Sequence, residues 1–315
     1  MKRICAVSVD VDPIRCYYHI HGLGQPPAQL RDVIIQRALP RFVELFSRRK
    51  MPATFFLVGS DLDGEAGRGA AAALAKKGFE LGNHTDTHPY EFARLDRGRI
   101  KEEIARAHEK IAGAAGKEAA PVGFRAPGYD MSADALEVLA QLGYRYDSSM
   151  FPSPPYWFAK AGVMAAMAAA GKKSGSVIGD PRALLAPTNP YRPHVRAPWR
   201  RGQSPLVELP IAVAPGLRMW MIGTSIVLLP TPVRAWLLEL MRRRPFFNLE
   251  LHGIDLADAD ADGIPAELVA KQPDLRRSLD EKLRALEATL DRLAPEYEFL
   301  PLREVATHVQ REGHV

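Results

Sequence analysis

Short apolar runs of β character alternate with stretches of helical periodicity along most of this chain. Strands are predicted at residues 4–9, 53–58, 79–82, 122–125 and 144–146, and again at 207–213, 246–251 and 298–300. Between them, apolar residues recurring every three to four positions predict helices at 33–49, 65–77, 97–115, 132–142, 233–243, 275–293 and 302–310. Ser132 is a suitable N-cap for its helix, because its hydroxyl can accept a free backbone N–H of the first turn. Alternation of this kind calls for a mostly parallel sheet, open or closed into a barrel, with the helices as crossovers.

The pattern breaks at 151–204. This segment holds 8 of the 26 prolines, and its Lys160, Lys172, Lys173, Arg182, Arg192, Arg196, Arg200 and Arg201 face Asp180 as the one acidic residue. The excess is larger than the chain's whole net charge of +5, so the remainder is slightly acidic. One regular piece stands out, an Ala/Met-rich helical stretch at 160–170. We read 1–315 as a single barrel domain and 151–204 as an insertion over its mouth, since long loops in compact domains usually serve a function. Trp157, Trp199, Trp220 and Trp236 all lie in or shortly after it, which favours a shaped pocket or interface. The basic segment carries no nucleic-acid recognition motif, so nucleic acid is not an expected partner.

Composition narrows the class without naming it. A 47% hydrophobic and 25% charged chain of 315 residues fits a globular protein with a large core. The longest apolar stretch, 219–230, is too short to span a bilayer. The chain opens Met1-Lys2-Arg3 and runs directly into a strand, without the apolar core of a signal peptide, and it has only two cysteines, Cys5 and Cys16. A cytoplasmic protein without a disulfide scaffold is the expectation.

Five short elements fall at the ends of predicted strands, where a parallel α/β architecture gathers its chemistry. They are Asp10-Val11-Asp12, His84-Thr85-Asp86-Thr87-His88, Arg125-Ala126-Pro127-Gly128, Tyr146-Asp147-Ser148-Ser149, and the strand ending Asn248-Leu249-Glu250-Leu251-His252. Two imidazoles four residues apart can share one side of a helical turn and hold a metal ion. Each of the other four has an ordinary structural reading: turn carboxylates, a loop arginine, a strand-end histidine. The alternating Asp258, Asp260 and Asp262 resemble a calcium loop, but Val269 stands where the bidentate glutamate is needed. No G-x-S-x-G sequence points to a serine nucleophile.

In this order the five elements resemble the NodB-type polysaccharide deacetylases, carbohydrate esterase family 4, from Asp10 to His252. The resemblance implies a distorted (β/α)7-type barrel, the NodB homology fold. It implies a divalent metal, zinc foremost (Zn2+), held by Asp12, His84 and His88. It assigns Asp10 as general base, Arg125 as the partner that keeps Asp10 ionised, His252 as general acid, and Asp147 as the carboxylate behind His252. The spaced Asp10/Asp12 pair differs from the adjacent Asp pair of many members and resembles a subgroup.

These roles make chemical sense together. Three ligands leave a metal open for water and a substrate oxygen. An amine leaves only once protonated, so an acid such as His252 is required. The resemblance further implies an N-acylated amino sugar as substrate, most simply N-acetylated, in a glycan, glycolipid or sugar-phosphate precursor. The basic, Trp-bearing insertion adds the expectation of an anionic or lipid-linked substrate or of peripheral membrane contact, with Arg196, Arg200 and Arg201 raising affinity. Competing readings are a deformylase or amidase acting on a lipid-linked amino sugar, another amide or a cyclic imide, and a non-catalytic binding module. His19 and His21 stand outside the catalytic set, and the helix at 275–293 reads as a barrel cover that sets no oligomeric state.

Overall fold

The structure, a computed structural model, describes residues 3–312. In chain order its strands are β1 (Arg3–Val11), β2 (Thr54–Leu57), β3 (Glu80–Asn83), β4 (Gly123–Phe124), β5 (Tyr146–Asp147), β6 (Pro193–His194), β7 (Ala197–Arg201), β8 (Val207–Glu208), β9 (Phe246–His252) and β10 (Tyr297–Phe299). The α-helices are α1 (Ile14–Ile20), α2 (Leu39–Arg48), α3 (Glu65–Lys76), α4 (Arg97–Ala115), α5 (Ala133–Gln141), α6 (Pro154–Ala169), α7 (Gly223–Leu228), α8 (Thr231–Met241), α9 (Ala266–Val269), α10 (Leu279–Leu293) and α11 (Leu302–Glu312).

Eight of the strands form one parallel sheet. Its centre is β1, flanked by β9 along Ile4–Asp10 and by β2 along Ser8–Val11, with β10 beside its first residues, Arg3–Cys5. From β2 the sheet continues through β3, β4 and β5 to β8. The chain after β8 turns back to β9, where the Ala212 N–H donates to the Asn248 carbonyl at 3.0 Å and Asn248 Nδ2 donates to the Leu209 carbonyl at 3.0 Å. The sheet thus curls into the distorted (β/α)7-type barrel expected of the NodB fold. Both faces of β1 are covered, so residues 5–11 are all buried, which is why they read as a nearly unbroken apolar run.

Most of the predicted elements recur with ends shifted by one to three residues, and the larger departures have local causes. The strand predicted at 207–213 stops at Glu208, two residues before Pro210, which cannot donate to a ladder. The helix predicted at 33–49 opens with a π-helical turn, Ile34–Ala38, just before Pro40, whose nitrogen has no hydrogen for the Gln36 carbonyl. Seven-residue α1 was not anticipated, being too short for a periodic signal. Ser132 caps α5, accepting from the Ala135 N–H at 3.1 Å.

Close packing sets one testable constraint. A Cβ at Gly123 would lie 1.8 Å from Tyr146 Cζ, and the Tyr146 hydroxyl is held to Glu80 Oε1 at 2.8 Å, so the ring cannot retreat freely. Gly123→Ala should cost about 2–3 kcal/mol, read as a lowered denaturant midpoint with an unchanged slope.

The 151–204 segment divides in two. Helix α6 begins at a Ser153 cap, six residues earlier than predicted, and buries none of its side chains fully. The β6–β7 hairpin goes elsewhere: Tyr191, Ala186 and Trp199 pack with Leu136 and Leu139 of α5. Among the described residues, no helix is long and apolar enough to cross a membrane.

Candidate active site

The C-terminal end of β1 presents Asp10 inside the barrel, and Asp12 follows one residue beyond the strand. Arg125, directly after β4, is fully buried beneath Asp10. Its Nη1 donates to Asp10 Oδ1 at 2.6 Å, Nη2 donates to Ser8 Oγ at 3.0 Å and Ser148 Oγ at 2.8 Å, and Nε donates to the Ser148 carbonyl at 2.9 Å. The guanidinium also lies 4.3 Å from the centre of the Phe56 ring. Burial alone would favour deprotonation of Arg125, but Asp10 and Glu250 outweigh it and hold the cation.

The His84–His88 stretch is not a helical turn. Thr85 and His88 adopt left-handed backbone angles, φ 67° and 60°, and the loop is tied down residue by residue. Asn83 Oδ1 accepts the Thr85 N–H at 2.8 Å, and Thr85 Oγ1 accepts the His88 N–H at 3.1 Å. Glu103 of α4 accepts the backbone N–H groups of Asp86 and Thr87 and the Thr87 hydroxyl at 2.8–3.0 Å. The motif thus brings its two rings together by a hydrogen-bonded loop. Sequence reading passed over Glu103, whose only sign was a charge on the otherwise apolar face of its helix.

This loop brings His84 Nε2 to 3.2 Å and His88 Nε2 to 3.3 Å from Asp12 Oδ1. His84 Nδ1 is bonded to the Arg125 carbonyl at 2.7 Å, which directs Nε2 inward, the usual second contact of a ligand histidine. Asp12 Oδ1 and both ring nitrogens of His88 are buried without a hydrogen-bond partner. Buried polar atoms left this way are costly unless something occupies the space between them. One carboxylate oxygen and two imidazole nitrogens, all buried and converging, fit a divalent cation. Asp10, Glu250 and His252 also lie close enough to share an ion, but Asp10 is already paired with Arg125 and Glu250 with His252.

His252 ends β9, in register with Asp10 on β1. Its Nδ1 lies 3.0 Å from Glu250 Oε1, and its Nε2 lies 3.2 Å from the Tyr129 hydroxyl, which also bonds Glu250 at 3.0 Å. The backbone N–H of His252 donates to Asp255 Oδ2 at 2.8 Å. Burial works against a charged ring here, but Glu250, then Asp12 and Asp10, outweigh it and lift the His252 pKa to about 9. Glu250, fully buried, is itself pushed up to about 7, mainly by burial.

The carboxylate behind His252 is therefore Glu250, and the assignment of Asp147 to that position is corrected. Asp147 accepts from Ser149 Oγ at 2.6 Å and shares a hydrogen bond with Glu208, its register partner on β8. It steadies the Ser148–Ser149 turn, and that turn in turn holds Arg125 and, through Ser149 Oγ, the Ala126 N–H. Glu250 was overlooked, although residues two apart on a strand share a face and the pair was visible as Glu250-Leu251-His252.

Asp10, Asp12, His84 and His252 open onto one cavity of about 350 Å³. Its walls are largely aromatic and aliphatic, with Tyr90, Tyr129, Tyr156, Met164, Trp220 and Ile222 among them. Helix α6 forms one side, and the chain after it is laid onto α1: Ser174 Oγ donates to the Ile20 carbonyl at 2.9 Å and the Gly175 N–H to the His19 carbonyl at 3.2 Å. His21 also lines the cavity, bonded through Nε2 to Gln272 at 2.9 Å. Arg196, Arg200 and Arg201 do not. They belong to the β6–β7 hairpin on the flank, and the lysine or arginine lining the cavity is Lys160. The three arginines expected to raise affinity for the substrate thus stand outside the cavity lining.

A parallel sheet curled in this way, with helices around it, is a NodB-type α/β barrel. Residues 30–146 match the polysaccharide deacetylase family. Among curated relatives, a peptidoglycan deacetylase of Helicobacter pylori is 25% identical over 158 residues, covering 49% of this chain and 52% of that protein. The Bacillus subtilis protein YlxY is 33% identical over 73 residues, covering 23% of this chain and 22% of that one. The chain thus aligns with about half the length of the first relative and less of the second. Among solved structures, a Mycobacterium smegmatis protein described as a polysaccharide deacetylase shares the fold, with a TM-score of 0.62 and 17% identity over 100% of this chain and 93% of that one.

Proposed function

We propose that this protein is a metal-dependent hydrolase that removes an N-acyl group, N-acetyl foremost, from an amino sugar. The observation that carries the reading is the meeting, beside one cavity, of the Asp12–His84–His88 triad with the Asp10–Arg125 and Glu250–His252 pairs. A divalent cation held by Asp12, His84 and His88 would supply Lewis acidity to the amide carbonyl and lower the pKa of a water.

The residues of the chain do the proton work. Asp10, paired through one oxygen with Arg125, accepts a proton from the attacking water through its other oxygen. His252, charged through Glu250, gives its Nε2 proton to the departing amine, and the Tyr129 hydroxyl beside that nitrogen orients it. Glu250 then faces an imidazole that has lost its charge and can recover a proton from solvent through the open cavity. Tyr90, Tyr129, Tyr156 and Trp220 offer ring faces to the apolar side of a pyranose.

A panel of N-acetylated mono- and disaccharides, scored by released acetate, tests the reading. Wild type should cleave at least one of them, and Asp10→Asn should not. Full activity in Asp10→Asn, or no cleavage of any amide or acetate ester, would remove the assignment.

A further inference from the structure

The cavity wall made by α6 carries one charge. Lys160 points its ammonium toward the Gly128–Tyr129 turn, where Nζ would lie 3.8 Å from a Cβ placed on Gly128. Tyr129 is the residue whose hydroxyl touches His252, so this cation stands close to the reacting centre. Among the described residues, Lys160 has no hydrogen-bond acceptor and no ion-pair partner. Asp130, the carboxylate that acts on it, forms no ion pair with it and accepts the Asp180 N–H at 3.3 Å. Burial pulls the Lys160 ammonium down to about 8 against the opposing charge of Asp130, so the fold keeps a half-buried cation facing an aromatic cavity. An unpaired ammonium in such a place is costly unless a ligand completes it.

The cavity's size adds a second constraint. About 350 Å³ is at the small end of ligand sites and holds one or two sugar rings. Helix α6 stands on one side of it, and residues 174–175 are fastened to α1, so the walls fit one or two rings better than a long polymer.

We propose that the substrate is a small N-acylated amino sugar bearing an anionic group, phosphate or carboxylate, and that Lys160 is the anchor for that anion. This rests on the N-deacylase reading above and adds the substrate's charge and its receptor. A charge-assisted contact of this kind discriminates charged from neutral sugars by roughly tenfold to a hundredfold.

The test compares kcat/KM for N-acetylglucosamine, its 1- and 6-phosphates and N-acetylmuramic acid in wild type, Lys160→Met and Lys160→Arg. The expected result is a preference of at least tenfold for an anionic sugar in wild type, collapsing toward parity in Lys160→Met and largely kept in Lys160→Arg. Which anion is preferred separates phosphate from carboxylate. Calorimetric titration with inorganic phosphate gives a readout independent of turnover, with weaker binding expected in Lys160→Met. Equal discrimination in wild type and Lys160→Met, or no preference in wild type, overturns the anchor. Hydrolysis of a neutral phenyl acetate, sensitive to Asp10→Asn, keeps the two ideas apart: if it persists while the anion preference is missing, only the anchor fails, and if it is absent the deacylase reading fails and takes the anchor with it.

Discussion

Replacing Arg125 by methionine is expected to destabilise the protein by about 3–5 kcal/mol, the usual cost of stranding one member of a buried ion pair. The guanidinium is fully buried and makes bonds to Asp10, Ser8 and Ser148, so its removal takes a donor from the Asp10 carboxylate, the Ser8 hydroxyl and the Ser148 carbonyl, while Asn248 still donates to the Ser148 hydroxyl. The measurement is a urea or guanidinium midpoint, read alongside the double variant Arg125→Met/Asp10→Asn. Neutralising Asp10 in the Arg125→Met background should recover part of the loss, because the stranded charge is gone. If the single variant falls by less than about 1 kcal/mol, the Arg125–Asp10 contact is not the buried ion pair that the structure shows.

The second large effect concerns the acid. His252→Ala should lower kcat/KM by roughly 10²- to 10⁴-fold, the range typical of a lost general acid. Glu250→Gln tests why His252 can be an acid at all. In wild type the ring is lifted to about 9, so it is protonated at neutral pH and activity should fall as pH rises through that value. Glu250 is the strongest of the negative charges that hold the proton on the ring, and the substitution removes it. The alkaline limb of kcat/KM should therefore move to lower pH by at least about one unit, toward the ordinary histidine range, while the acid limb stays near its place. A purely structural Glu250 would lower activity without moving that limb. Asp147→Asn should leave the limb where it is, because Asp147 lies against Ser149 and Glu208.

The sequence carried the order of the site because a parallel barrel brings successive strand ends to one rim. Asp10, Asp12, His84, His88, Arg125 and His252 all stand at such ends, and their arrival at one site needed only the strand–helix alternation. Contacts that depend on register were less legible. Asp147 looks toward β8 and Glu208, whereas His252 sits on β9 beside β1, so order along the chain paired the wrong carboxylate with the histidine. Glu250 was accessible from strand periodicity alone. Loop geometry was not: the left-handed Thr85 and His88, tied by Asn83 and Glu103, replace the helical turn that a four-residue spacing favours. The insertion's composition showed a basic, tryptophan-bearing segment, but only packing decides that α6 reaches the cavity while the arginine-rich hairpin lies on the flank.

The most direct test of the account is calorimetric titration of Zn2+ into chelator-stripped protein, comparing wild type with Asp12→Asn/His84→Ala/His88→Ala. One zinc per chain is expected in wild type, with proton release from the imidazoles as the ion enters, and no comparable site in the triple variant. Equal stoichiometry and affinity in the two proteins, or no binding by wild type, would contradict it.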